Sequence, residues 1–516
     1  MKAMILKRLN VLTFVLLMTL GTVRSYGQGN CSTCKGSAPN IYSTTDFATT
    51  FGDSSGYKLL SADYTVLFGY RAGYWNENDD DNVFIGYNSG VARYQGVDNV
   101  FIGRETGLNN RGTDNVFIGC EAGSDNTTGG DLVIVGEEAG ESNTTGNDNV
   151  FIGEDVGRQN TTASDNTFVG SLSGERNTTG FRNTFIGNEA GNDCLSGNKN
   201  TFVGDSAGVD LGPHYGVPDP GFNTFIGAGS GAATENTSFN TFVGTYAGYN
   251  NNRYSNTAGA TDNTYMGFAA GYTGRRGERN VVLGYRADFG YAQNSYGDNS
   301  DNVIIGAYAE LKRYRVNQNI LIGYNSSVYG NNNVAIGSGV TIDANNEVRI
   351  GNTSVDRISC VVNWTATSDE RFKRNVKHDV PGLAFIRKLR PVTYQFNMDT
   401  LHRFSGTEVL NPEKGDIIYS GFIAQEVEQA AQQIGYDFSG VRRPDDISTS
   451  LYGLRYAEFT VPLVQSVKEL NQKVNTQRQQ LEHIEEEINE LEKLVERLEM
   501  EQEQYSNAET SNQNRR

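Results

Sequence analysis

The segment DNVFIGEDVG, residues 148–157, is one copy of a phrase that recurs along most of the chain. Close copies occupy residues 81–90, 98–107, 183–191 and 240–248. The glycine that closes V-F-I-G mostly follows its predecessor by 17 residues, with steps of 22 or 23 at insertions and of 14 near the end. This period is too short for a helical hairpin or a propeller blade, but it fits one coil of a parallel β-solenoid. The repeats therefore predict a mainly β solenoid, or β-roll, over residues 65–351.

Alternation along each short strand divides the repeat into two faces. Val83 and Ile85 point one way and Phe84 points the other, because side chains alternate across a strand. Small β-branched columns suit a thin coil interior, which would leave the aromatic column outside. About 17 coils at ~4.8 Å each make a stripe ~80 Å long, and an apolar stripe of that size needs a partner.

We therefore expect the aromatic column to form the interface of a symmetric oligomer. The alternative is a coil that buries these rings itself. The predicted interface residues are Phe84, Phe101, Phe117, Phe151, Phe168, Phe185, Phe202, Phe225 and Phe242. A second column, of asparagines such as Asn166 and Asn183, is expected to form hydrogen bonds from coil to coil.

The array resembles the head repeats of trimeric autotransporter adhesins, in which N-x-V-A-I-G recurs. Residues 333–337 (NVAIG) fit that pattern, and the last two repeat steps are the short ones of 14 residues. Earlier coils have Phe in place of Ala and longer loops. The outer-membrane barrel that ends those adhesins is not found in this sequence. The resemblance implies three chains around one axis.

The amino terminus has the features of a secretory signal over residues 1–27. Basic residues precede an apolar run from Val11 to Leu20, which is too short to span a bilayer. Residues 28–64 form a separate N-terminal segment. We expect a bacterial protein that is secreted or held at the cell surface, without a transmembrane segment in the mature chain. The formal net charge of −18 argues against nucleic acid as a partner.

Five cysteines carry no recognisable metal or catalytic pattern. Cys31 and Cys34 form a lone C-x-x-C without a second pair, which in a secreted chain favours a disulfide over zinc. No role follows from the scattered positions of Cys120, Cys194 and Cys360. We expect no metal and no cofactor.

Beyond the array, the composition changes at TSDERFK, residues 367–373. This S-D-x-R-x-K pattern is followed by I-x-K-L-x-P-V-x-Y-x-F at residues 386–396 and G-F-I-A-Q-E-V at residues 421–427. The three motifs together resemble the peptidase S74 family, the intramolecular chaperones of tailspikes and other trimeric fibres. The resemblance implies Ser368 as nucleophile, Lys373 as its base and cleavage between Thr367 and Ser368.

A serine hydroxyl needs a neighbouring base, and a lysine serves as one only when desolvation leaves it neutral. The implied enzyme is a single-turnover serine peptidase that acts on its own chain and has no substrate in trans. Asp369 and Arg371 are candidate supporting residues, with opposite influences on the lysine. A solvated turn that places Ser and Lys five residues apart is the alternative.

Short helix and strand patterns predict a small α+β domain over residues 367–460, after a linker at 352–366. Apolar steps of three and four then predict a coiled coil at 461–505, and residues 506–516 are expected to be a disordered tail. The predicted coiled-coil core is Val467, Leu470, Val474, Leu481, Ile484, Ile488, Leu491, Val495 and Leu498.

These features predict an adhesin-like trimeric fibre whose C-terminal domain templates assembly and then cuts itself away. Two alternatives stay open: a tailspike-like solenoid that binds or degrades polysaccharide, and an uncleaved structural fibre. A surface glycan and a host ligand are both compatible with exposed solenoid loops, and the sequence favours neither.

Overall fold

The computed structural model divides the chain into two compact units, at the bond between residues 352 and 353. The residues described are 48–60, 63–94, 96–212, 220–252, 259–274, 276–290, 299–313, 315–359, 361–362, 364–405, 412–444, 446–447 and 450–513. The predicted signal peptide, Cys31, Cys34 and Cys360 lie outside this set.

The first unit is a parallel β-solenoid, which confirms the predicted fold. Its main sheet, here called the solenoid sheet, has 18 parallel strands with one strand per coil. Equivalent residues pair directly, as Phe168 does with Phe185. The strands are Thr49–Phe51, Val66–Phe68, Val83–Ile85, Val100–Ile102, Val116–Ile118, Val133–Val135, Val150–Ile152, Thr167–Val169, Thr184–Ile186, Thr201–Val203, Thr224–Ile226, Thr241–Val243, Thr264–Met266, Val281–Leu283, Val303–Ile305, Ile320–Ile322, Val334–Ile336 and Val348–Ile350.

The solenoid begins one coil earlier than predicted and gains a second sheet at its end. The strand Thr49–Phe51 pairs with Val66–Phe68, although its sequence lacks the preceding asparagine. Three short parallel strands in the last coils, Glu310–Leu311, Ser327–Val328 and Thr341–Ile342, form the second sheet.

The aromatic column lies inside the coils, so the predicted Phe interface is wrong. All nine predicted interface residues, Phe84, Phe101, Phe117, Phe151, Phe168, Phe185, Phe202, Phe225 and Phe242, are 0 % exposed within a single chain. Successive rings stack, for example those of Phe168 and Phe185 with centroids 4.7 Å apart. The coil itself buries the phenylalanines, in agreement with the alternative.

Small residues opposite the strand provide the space for these rings. In x-x-A-G the alanine is buried, as Ala190 is, and the glycine lies against the aromatic side chain. A Cβ atom on Gly191 would lie 2.6 Å from the Phe185 ring, and the φ of +61° there also favours glycine. The coil interior is therefore wide enough for Phe at the strand because the facing turn carries mostly small side chains.

The strand residues on either side of each ring point outward and form the outer face. This name denotes the first and third residues of the solenoid strands, mostly Val or Thr and Ile or Val. Ile152 is 40 % exposed and Ile186 39 %. The outer face is thus an apolar surface that a single chain leaves partly open to water.

Buried asparagines link the coils, as predicted, but mainly through the backbone. The Asn166 side-chain oxygen accepts from the backbone N–H of Asn183 (2.9 Å), and its amide nitrogen donates to the Gly180 carbonyl (2.9 Å). Both groups of the amide are paired, which buried polar groups require.

The inward column ends in a charged residue. Arg349 occupies the inward position of the last strand and pairs with Glu347, with Nη2 to Oε1 at 2.7 Å. The apolar core thus stops at an ion pair.

The second unit is a small α+β domain followed by one long helix. Its helices are Leu383–Ile386, Met398–Ser405, Ala424–Gln432 and Thr460–Gln513, and its 3-10 turns are Glu370–Phe372, Pro412–Asp416 and Tyr456–Phe459. Strands Val392–Tyr394 and Tyr419–Gly421 pair antiparallel, as do Val441–Arg442 and Gly453–Leu454. The long helix has 54 residues.

The long helix includes residues 506–513, which were expected to be disordered. Propagating an existing helix costs little because no new nucleus is needed, and this offsets the weak helix preference of the Ser, Asn and Thr residues in the segment. Residues 514–516 lie outside the described part of the chain.

Candidate functional site

A tight turn brings the predicted dyad together. Asp369 caps the 3-10 turn Glu370–Phe372, with its Oδ1 accepting from the Arg371 backbone N–H at 2.9 Å. The Lys373 N–H then donates to the Glu370 carbonyl at 2.9 Å. The chain reverses over five residues and returns the lysine to the serine.

Lys373 Nζ donates a hydrogen bond to Ser368 Oγ across 2.7 Å. A nucleophile and its base must lie within about 2.6–3.2 Å, and this pair does. Both residues are exposed in the single chain. The geometry of proton transfer is present, whereas the described residues of a single chain do not supply the dry surroundings that a neutral lysine requires.

Asp369 and Arg371 pair with each other, although the sequence suggested that they act separately on the lysine. The guanidinium Nη2 lies 2.6 Å from Asp369 Oδ2, and Nε lies 3.0 Å from the same oxygen. The side-chain hydrogen bond from Arg371 lowers the pKa of Asp369 below its usual value. Their charges largely cancel near the dyad, so their structural effect is to hold the turn.

Large apolar side chains next to the dyad in sequence are open to solvent. Trp364 is 82 % exposed, Phe372 79 % and Val376 70 %. We call these three residues the dyad-flanking group. Large apolar side chains that stay open to water in this way are typical of a surface that a partner covers.

The other two family-like motifs contribute to the core of the α+β domain, with Ile386 and Leu389 from the first motif and Phe422 from the second. Phe385 is fully buried and packs against Phe438, with ring centroids 4.9 Å apart. Val427 joins the same core. The Glu469 carboxylate accepts from the Leu383 backbone N–H at 2.8 Å and so ties the long helix to the domain.

The predicted coiled-coil core is exposed in a single chain. Its residues lie on the long helix, with exposures such as 65 % for Val467 and 60 % for Leu491. Beyond the first turns, the described helix residues have no apolar cover from their own chain. An apolar stripe along a lone helix is typical of a coiled-coil partner surface.

The remaining candidates are the cysteines and any metal-binding cluster. Cys194 is buried in the solenoid and Cys120 is half-buried. Among the described residues, no group of three or more His, Cys, Asp or Glu side chains is placed to hold a metal ion. In the same part of the chain, no helix is long and apolar enough to cross a membrane.

A β-solenoid followed by a small α+β domain, with a Ser–Lys pair at its start, fits a fibre-like or tailspike-like class of protein. Residues 368–436 match the model of the peptidase S74 family, described as the chaperone of endosialidase. The match begins at Ser368 and includes Lys373 and both downstream motifs, which confirms the S74 resemblance for this segment. A search of curated proteins finds no match.

Proposed function

We propose that this protein is a secreted or cell-surface homotrimeric fibre whose C-terminal unit aligns three chains and then cuts itself from the solenoid. The observation that carries the proposal is the 2.7 Å hydrogen bond from Lys373 to Ser368 at the first residue of the S74 match. This hydrogen bond places a Ser–Lys pair at the boundary between the repeat array and the C-terminal segment, which differ in composition.

Trimer formation is supported by the apolar surface that the second unit leaves open. The long helix would extend about 80 Å at 1.5 Å per residue, with an exposed apolar stripe along it. Three such helices side by side would cover the core positions from Val467 to Leu498. S74 chaperone domains belong to trimeric fibres, which favours three strands over two.

The outer face is the surface we propose for contact between the three solenoids. It replaces the Phe column, which is unavailable because each chain buries it. At ~4.8 Å per strand, 18 strands give a face about 85 Å long. A strip of that length and ~10 Å wide has about the 800 Å² per partner typical of stable interfaces.

Cleavage would proceed by attack of a serine on its own preceding peptide bond. Ser368 Oγ gives its proton to the Lys373 amine and bonds to the Thr367 carbonyl carbon, and the C–N bond breaks as the Ser368 nitrogen takes up a proton. Water then hydrolyses the resulting ester, leaving a carboxylate at Thr367 and restoring the Ser368 hydroxyl. The reaction occurs once per chain and needs no cofactor.

Assembly would supply the desolvation that the single chain lacks. Burial disfavours the charged form of a lysine, and a second copy that covers the dyad-flanking group would also cover the dyad. Cutting would therefore come after trimerisation.

Amino-terminal sequencing of the products of the full chain tests the proposal. The wild type should give a C-terminal fragment that begins at Ser368, while Ser368→Ala and Lys373→Ala should stay full-length and trimeric. Lys377→Ala is the matched control, since it removes a nearby exposed lysine that lies outside the dyad, and it should be cut normally. A fragment that begins elsewhere, or cleavage that persists in both dyad variants, would remove the dyad from the mechanism.

A further inference from the structure

One lysine of the second unit holds chain on the other side of the predicted cut. Lys414 Nζ donates to the Thr353 carbonyl at 2.6 Å and to the Val355 carbonyl at 2.8 Å. We call this arrangement the Lys414 clasp. Lys414 lies 61 residues after Thr353, within the segment that matches the S74 family.

The clasp is built on well-anchored structure. Lys414 belongs to the 3-10 turn Pro412–Asp416, and the Asp416 carbonyl accepts from the Gln395 side chain at 3.1 Å. On the other side, the hydroxyl oxygens of Thr353 and Ser354 are inaccessible to solvent. Hydrogen bonds from an ammonium group are charge-assisted and stronger than neutral ones.

The chain between the Lys414 clasp and the predicted cut is open to solvent. The described residues from Val355 to Thr367 are exposed. The compact second unit begins at Thr353, whereas the predicted cut lies between Thr367 and Ser368. Cleavage would therefore leave residues 353–367 on the upstream product while the clasp still holds their beginning.

We propose that the Lys414 clasp retains the C-terminal fragment on the solenoid after cleavage, so that cutting and release are separate steps. The clasp commits Lys414 to carbonyl groups of the upstream product, and in a trimer three clasps would act together. Linked contacts of this kind raise retention well above that of a single contact. The inference rests on the proposed cut but concerns the fate of its two products.

The test uses the full chain with Ser368→Ala, in which residues 356–362 are replaced by the recognition sequence of a site-specific endoprotease. The clasp residues and the S74 segment stay intact, and the external cut does not depend on the dyad. After digestion, native gel filtration should show the C-terminal fragment eluting with the solenoid. Failure of self-cleavage in the parent chain would thus leave this result unaffected.

Substitution of Lys414 then assigns the retention. Lys414→Met should release the fragment at least tenfold faster, and Lys414→Arg, which keeps the charge and the N–H donors, should retain it. Lys388→Met is the matched control, because Lys388 bonds to Gln433 within the same fragment at 3.0 Å, and it should retain the fragment.

Circular dichroism of each variant checks that the helices are intact. If Lys414→Met loses helix, the comparison is made with Lys414→Gln, which removes the charge and shortens the side chain. Immediate release of the fragment with Lys414 unchanged, or equal retention in the folded neutral variant, would overturn the proposal. Release in Lys414→Arg with an intact fold would do the same.

Discussion

The two units of this protein differ in how they cover their apolar residues. The solenoid encloses a column of aromatic and aliphatic side chains within one chain, whereas the second unit leaves its longest apolar stripe, on the helix Thr460–Gln513, open to water. A coil gains its stability from its neighbours in the same chain. Beyond its first turns, the long helix gains no comparable packing from the described residues of its own chain. The difference supports the proposal that assembly is driven from the carboxyl end.

Placing charged residues in the apolar stripe of the long helix should have the largest effect on assembly. Leu481→Asp with Ile488→Asp buries charge in the predicted coiled-coil core, so the trimer should dissociate to single chains and self-cleavage should stop. Sedimentation and fragment analysis measure both. The same change at Gln479 and Glu486, on the far side of the helix, is the control. An intact trimer in the core variant would contradict the coiled coil.

Substitutions at two adjacent residues of one strand should distinguish the interior of the solenoid from its outer face. Phe185→Ala removes a fully buried ring and should cost about 3–5 kcal/mol locally, because the cavity cannot collapse between stacked coils. Ile186→Ala on the outer face should cost much less within a single chain. Hydrogen exchange of the amides in coils 167–204 distinguishes them. Equal loss of protection in both variants would mean that Phe185 and Ile186 do not point to opposite faces of the coil.

A smaller effect should come from a half-buried carboxylate within the solenoid. Asp288 accepts hydrogen bonds from the Thr273 backbone and hydroxyl and from the Phe289 backbone, at 2.8–3.0 Å. Desolvation by burial outweighs these bonds and raises the pKa of Asp288 to about 6. The folded chain therefore holds the proton to higher pH than the unfolded chain does.

Solenoid stability should consequently fall as pH rises from about 4 to about 6, by at most ~3 kcal/mol, since one pKa unit corresponds to about 1.4 kcal/mol. Asp288→Asn should remove this contribution. Thermal unfolding at pH 4 and pH 7 compares the two chains, so that the many surface carboxylates cancel. An identical pH response in both would rule out a raised pKa for Asp288.

The sequence predicted the solenoid because period and alternation are local signals. The prediction from sequence placed the aromatic column on the wrong face. Which face of a strand points inward depends on the side chains across the coil. That information was present in the x-x-A-G part of the repeat, where Ala190 and Gly191 leave room for Phe185. A small residue at a fixed offset from a large one would have identified the inward column.

The dyad was predictable because five residues of chain separate its members. The pairing of Asp369 with Arg371 was harder to predict, since either side chain could have turned toward the lysine. The Lys414 clasp had no sequence signal, because its partners are carbonyl groups 59 and 61 residues away that any residue type could provide.

The charged residue Arg349 at the end of the inward column affects whether further coils can stack on the solenoid. A stack of identical coils is in principle a one-dimensional polymer, and its last strand presents unpaired backbone groups that could template another stack. A coil arriving at this end meets a guanidinium paired with Glu347, where the inward positions from Leu67 to Ala335 offer a buried apolar or aromatic side chain. In polymer terms, residues 348–350 would act as a chain terminator that opposes end-to-end addition.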